Sequence, residues 1–151
     1  MQNLIIADTS CLILLQKINE LSILEKLYTS VSITPQIAEE YGTTLPGWIS
    51  IEIPEDQNYQ EILETSLDPG EASAIALALG NDNSLLIIAD LKGRRIAVKL
   101  GLKITGSLGV LISAKKKGHL KSIKPILKKI KASDFRISPK LEEVILKLSD
   151  E

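Results

Sequence analysis

Residues 3–10 read Asn-Leu-Ile-Ile-Ala-Asp-Thr-Ser: an apolar run that stops on a carboxylate. Residues 84–90, Ser-Leu-Leu-Ile-Ile-Ala-Asp, repeat the pattern. Each run is too short for a helix and apolar throughout, as befits a strand buried on both faces. Amphipathic segments lie between them. Residues 11–30 place Leu14, Leu15, Ile18, Leu21, Leu24 and Leu27 at helical spacing, and predict two short helices meeting near Asn19. A brief strand at 31–33 leads to Thr34-Pro35, a cap followed by a first-turn proline, with Gly42 as the stop. Further along come a strand of edge character at 49–53 and an amphipathic helix from Asp56. A second helix, small or apolar at 72, 74, 75, 76 and 78, is capped by Asp68 and ends at Gly80. A helix closed by Gly101, a strand at 102–105 and three C-terminal helices broken at Gly118 and around 133–139 complete the chain.

Strands alternating with helices predict an α/β fold of three α/β/α layers around a central parallel sheet. The 151 residues read as one domain spanning 1–151, the helices from about 107 packing on the same body. In open parallel sheets, ligands bind at the carboxyl ends of the strands. Asp8 and Asp90 therefore belong on one rim.

Composition narrows the chemistry. A hydrophobic fraction of 44% and a charged fraction of 25% suit a folded globular chain, with disorder expected only in the last few residues. There is no charged-then-apolar leader and no apolar run near about 18 residues, which disfavours secretion and membrane spanning. The single cysteine, Cys11, suits a reducing cytoplasm, and with one histidine, His119, it cannot furnish a zinc site of Cys/His type. Charge is unevenly spread. Residues 1–91 hold 14 acids against two lysines, and residues 92–131 hold 13 Lys/Arg and no acid. Such a split allows an acidic centre facing a basic rim, or both signs scattered over the surface.

Asp8 and Asp90 each precede a helix and could serve only as caps. Glu71 lies in the first turn of the apolar helix, where a helix dipole also favours it. On the 34–42 helix, periodicity leaves Glu39 and Glu40 both open, with Glu40 close to the apolar Ile37 and Tyr41. Acids gathered on one rim would repel by about 1–4 kcal/mol per close pair, so a cluster implies a cation. Oxygen-only ligands suit Mg²⁺ or Mn²⁺, the ions of phosphoryl transfer. Other acid-centred chemistries fit less well. Position 10 is Ser where a dehalogenase-type phosphatase needs Asp, and position 7 is Ala where a receiver domain needs an acidic pair. No Walker-type loop occurs, and the Gly-Ser-Leu-Gly at 106–109 is too short and apolar for a phosphate cradle. Cys11 reads as core, and His119 as an exposed turn residue.

Taken together, these segments resemble the PIN-domain family, the metal-dependent nucleases that include VapC-type toxins. The "IIADTS" segment looks like that family's first acidic motif and "PQIAEEYG" like its second. "PGEASAIALA" is similar to a subgroup carrying Glu at the third, and "LLIIADLKGRRIAVKLGLKITGSLGVL" to the fourth acid with its helix, strand and small-residue turn. The usual aromatic-containing acidic stretch after the fourth acid is replaced by "LKGRR". The resemblance implies Asp8, Glu40, Glu71 and Asp90 as catalytic, metal-binding acids, with Ser10 hydrogen-bonding within the site. It implies a Mg²⁺- or Mn²⁺-dependent endoribonuclease acting on single-stranded RNA, the toxin of a toxin–antitoxin pair, with an antitoxin protein and a homodimer as partners. Arg94 and Arg95, one turn beyond Asp90, are candidates for gripping RNA phosphates. The alternatives are a non-catalytic RNA- or protein-binding module on the same fold and, less favoured, a phosphohydrolase using the same acids.

Overall fold

A computed structural model describes residues 4–151, so Asn3 of the opening stretch lies outside the described residues. Five strands, β1 (Leu4–Ala7), β2 (Val31–Ile33), β3 (Ile49–Ile51), β4 (Ser84–Ile87) and β5 (Ile104–Thr105), form one sheet in the order β3-β2-β1-β4-β5. All four pairings are parallel. Around it lie nine helices of the described residues. The first six are α1 (Thr9–Lys17), α2 (Ser22–Tyr28), α3 (Pro35–Tyr41), α4 (Gln57–Leu63), α5 (Pro69–Leu79) and α6 (Leu91–Lys99). The last three are α7 (Ser107–Lys116), α8 (Lys124–Ala132) and α9 (Pro139–Leu148).

From β1 the chain steps outward to β2 and β3, then returns across the sheet to β4 and β5. Right-handed crossovers put the helices of the outward and return steps on opposite faces, which gives the three layers. The direction reverses between β1 and β4, and that switch point is where an α/β sheet opens a crevice. Helix α5 is buried along most of its length, with Gly70 and residues 72–78 all covered, Pro69 exposed at its start and Glu71 part-exposed at the rim. It packs on β1 and β4 and also touches α3, which in turn contacts α1.

The local signals act as their chemistry requires. The Thr34 hydroxyl accepts from Ile37 N, Pro35 opens α3, and Gly42 ends it in the left-handed region at φ 72°. Asn19, also at positive φ, separates α1 from α2. Strand β3 is an edge, as its alternation implies. Three strands are shorter than the sequence reading: β3 stops at Ile51, β5 starts at Ile104, and β4 is cut at its end. Strand β4 ends at Ile87 and does not run to Asp90. Ile88 N still donates to Thr105 O, but Ala89 N turns to the Asp8 carboxylate and leaves the ladder. The C-terminal residues are tied in as well, for the Glu151 carboxylate accepts from Ser122 Oγ and from Ile123 N at 2.7 Å and meets Lys115 Nζ at 3.3 Å.

A buried relay joins α3 to α5. Ser73 Oγ donates to Gly70 O at 2.7 Å, so the 2.6 Å contact between Thr34 and Ser73 is donated by the Thr34 hydroxyl. Replacing Thr34 by the isosteric valine removes a cap and a buried hydroxyl partner together. Thr34→Val is expected to cost about 1–3 kcal/mol in urea unfolding, against less than about 0.5 kcal/mol for an exposed control substitution.

Candidate active site at the carboxyl edge of the sheet

Asp8 follows β1 directly and is buried, 4% exposed. Its Oδ1 accepts from Cys11 N at 2.8 Å, capping α1, and its Oδ2 accepts from Ala89 N at 2.7 Å, beyond the end of β4. Burial pushes its carboxyl up from the ordinary range. The two N–H bonds pull it back, and the charges of Asp68 and Asp90 add to the rise.

Asp8, Thr9, Ser10, Glu40, Asp68 and Glu71 line one small cavity of about 40 Å³. Glu40 reaches it because α3 rests on the first turn of α5. A Cβ at position 70 would land on Glu40 Oε1, so glycine there leaves room for the Glu40 carboxylate. That contact decides between the neighbouring glutamates. Glu40 lines the cavity as well as the outer cleft beside it, whereas Glu39 lines the outer cleft alone. Desolvation raises the Glu40 carboxyl, the charges of Asp68 and Asp8 add to this, and a hydrogen bond with the Thr9 side chain opposes it. Thr9 and Ser10 both line the cavity, Ser10 exposed on its wall.

Glu71 is the most perturbed of the set. Desolvation, then the charges of Asp68, Asp90 and Asp8, push its carboxyl up to about 7. Asp90 is exposed, caps α6 through Oδ2 to Gly93 N at 2.8 Å, and does not line the small cavity. Its charge is nonetheless felt by both Asp8 and Glu71, so it stands on the same edge.

Asp68 is the residue that sequence reasoning took only as a cap. It does cap α5, its Oδ1 accepting from Glu71 N at 2.9 Å. Its charge is also the largest charge contribution to the raised carboxyls of Glu40 and Glu71. The signal was present in "DPGE": an N-cap and the residue three places on share one helical turn, so an acid at 68 must stand beside one at 71.

Arg94 lies close by but pairs with no carboxylate. Its Nη1 donates to Ile88 O at 2.8 Å and packs where a Cβ on Gly106 would sit, 2.9 Å away. The first glycine of the small-residue turn therefore makes room for a guanidinium. Arg95 is exposed on α6. Among the described residues, none of Asp8, Glu40, Asp68, Glu71 and Asp90 takes part in an ion pair. Nor are three acid, imidazole or thiol side chains gathered at metal-ligating spacing. An all-carboxylate donor set nevertheless fits Mg²⁺ or Mn²⁺. Mg²⁺ in particular keeps several waters and often takes only one or two carboxylates, completing its shell on substrate phosphate.

A family model described as a PIN domain (DUF3368) matches residues 4–151. The chain belongs to the PIN-domain family, a nuclease fold whose members generally use divalent metals and typically bind RNA. No curated protein and no solved structure matches the chain. No helix of the described residues is long and apolar enough to cross a membrane.

Glu71 holds its proton more tightly folded than unfolded. It therefore favours the folded state at pH below about 4.5, and that contribution is lost as pH rises through about 7. In metal-free buffer the melting temperature is expected to fall across this window, and Glu71→Gln should flatten the fall. An unchanged slope in Glu71→Gln would place the titration elsewhere.

Proposed function

We propose that this PIN domain is a metal-dependent endoribonuclease that hydrolyses phosphodiester bonds of single-stranded RNA. The observation that carries the reading is the unpaired acidic cavity: three carboxylates and a fourth, Asp68, brought together with no cationic side chain. A binding module has no use for such mutual repulsion, whereas a cation site does.

Asp8, Glu40, Glu71 and Asp90 would hold the ion. When bound, Mg²⁺ or Mn²⁺ supplies charge stabilisation at the phosphoryl oxygens and eases deprotonation of water. The chain's own part is orientation. Asp8 is fixed by two backbone N–H groups, yet each oxygen keeps a second lone pair for a water hydrogen. Asp90 is steadied in the same way by Gly93 N, with its other oxygen free to accept. Two such acceptors can hold an attacking water in line with the scissile bond. Arg95, exposed on α6 five residues beyond Asp90, would draw the RNA phosphate towards an otherwise repellent cavity. Arg94, being tied to Ile88 O, contributes first to the fold. A toxin role with a cognate antitoxin, a homodimeric state and a cytoplasmic setting follow from the resemblance of the motifs and accompany this reading.

Cleavage of single-stranded RNA should require millimolar Mn²⁺ or Mg²⁺ and stop with EDTA. Asp90→Asn, which preserves the cap, and Glu71→Gln should each lower the rate on the order of a hundredfold or more with the fold intact. RNA bound but left uncut with metal present would favour the non-catalytic module. Mn²⁺ is also expected to raise the melting temperature of the wild type, and less so that of Asp90→Asn.

Salt dependence separates the two arginines. Arg95→Ala should reduce the log–log slope of RNA affinity against salt by about 0.7, the contribution of one phosphate contact on a single strand. Arg94→Ala should lower the melting temperature before it changes that slope.

A further inference from the structure

Next to the acidic cavity lies a larger cleft of about 270 Å³, and Ser10 lines both. Ala89, whose N–H holds Asp8, is part of the same wall. Across from Ile13 and Leu14 of α1 stands Phe135, the chain's only phenylalanine. Its backbone N–H is anchored on Ser133 Oγ at 3.1 Å, and its ring is half-buried. At the cleft's edge Lys17 Nζ meets Asp134 Oδ1 at 2.9 Å. Phe135 also borders a second cleft, on which Arg136 is exposed.

Resting on the reading of the acidic cavity as an RNA-cleaving centre, the geometry points to a one-nucleotide subsite. The base beside the scissile phosphodiester packs against Phe135 and Ile13, and Arg136 beyond it receives the neighbouring phosphate. Three features select this occupant. The cleft shares Ser10 with the cavity and carries Ala89, whose N–H holds Asp8, so a strand passing over the cavity on this side reaches it. An aromatic ring facing an aliphatic side chain is how proteins take up a base splayed out of a single strand. The Lys17–Asp134 pair offers one donor and one acceptor, and base edges carry both kinds of group. Both partners of that pair are largely exposed, so exchanging it for a base edge costs little. A phosphate in the cleft itself would face the Asp134 carboxylate and is disfavoured.

The probe is a fluorescently labelled single-stranded RNA of mixed sequence, about twelve nucleotides long. Anisotropy gives its affinity, and gel analysis in Mn²⁺ gives its cleavage. Phe135→Leu keeps apolar bulk but removes the ring face. It is expected to weaken binding on the order of tenfold, whereas Phe135→Tyr leaves it near wild type. A second arm moves a single abasic nucleotide along the strand, and cleavage should drop at one position, at a fixed offset from the bond cut. If Phe135→Leu does not fold, the abasic scan decides alone. Wild-type binding by folded Phe135→Leu, or a flat abasic profile, overturns the subsite, and if Asp90→Asn still abolishes cleavage the nuclease reading stands. If wild type neither binds nor cuts the RNA, the subsite falls together with that reading.

Discussion

Each oxygen of Asp8 accepts a backbone N–H. One takes the N–H of Cys11 at 2.8 Å, the other the N–H of Ala89 at 2.7 Å, and the carboxylate itself is buried. The first bond starts α1. The second ends the β1–β4 ladder by offering Ala89 a side-chain acceptor where a further backbone partner would come. From that turn the chain reaches Asp90, which starts α6, and α6 sends Arg94 back to Ile88 O. The rim is thus built outward from one acid at the switch point of the sheet. An apolar residue at position 8 would strand two buried N–H groups, each costing about 1–3 kcal/mol. Loss of activity on changing Asp8 therefore mixes folding with chemistry, in a way that changes at Asp90 or Glu71 do not.

Burial and mutual repulsion raise the carboxyls of Asp8, Glu40 and Glu71 together. For Asp8 the desolvation outweighs two good N–H bonds. Among the described residues, no cationic side chain pairs with these carboxylates. Lys129 pairs with Glu20, Lys131 with Glu142 and Lys115 with Glu151, and through these pairs the basic half of the chain stitches the C-terminal helices to each other and to α1–α2. The uneven charge of the sequence is thus resolved in two places. Acids collect on the rim, and bases work mainly at the far end of the chain.

The parallel sheet, the order of the helices and the placement of Asp8 and Asp90 on one edge were legible in the sequence, because short apolar runs and caps are local signals. "TPQIAEEYG" announced both ends of its helix correctly. The choice between Glu39 and Glu40 was not legible. Adjacent residues on a short helix differ by about 100° of azimuth, and the deciding contact is with Gly70, thirty positions away. Asp68 was seen and under-read, since a cap explained it sufficiently on its own. Thr9 and Ser10 both begin α1 and both line the cavity, so the local pattern alone does not separate their hydroxyls. The end of β4 was misplaced because a side chain, invisible to apolar patterning, took over a backbone bond.

Cys11 lies directly under this arrangement. Its thiol is fully buried beside Asp8, touches Ser107 at the start of α7, and is pushed up to about 12. A thiol held so firmly in its neutral form is a poor nucleophile, and no reagent can approach it while α1, α7 and the end of β1 stay together. The only sulfhydryl in the chain is therefore silent in the native state and reactive once that junction opens. Its alkylation rate is a built-in clock for the opening of the acidic rim, readable without any added label.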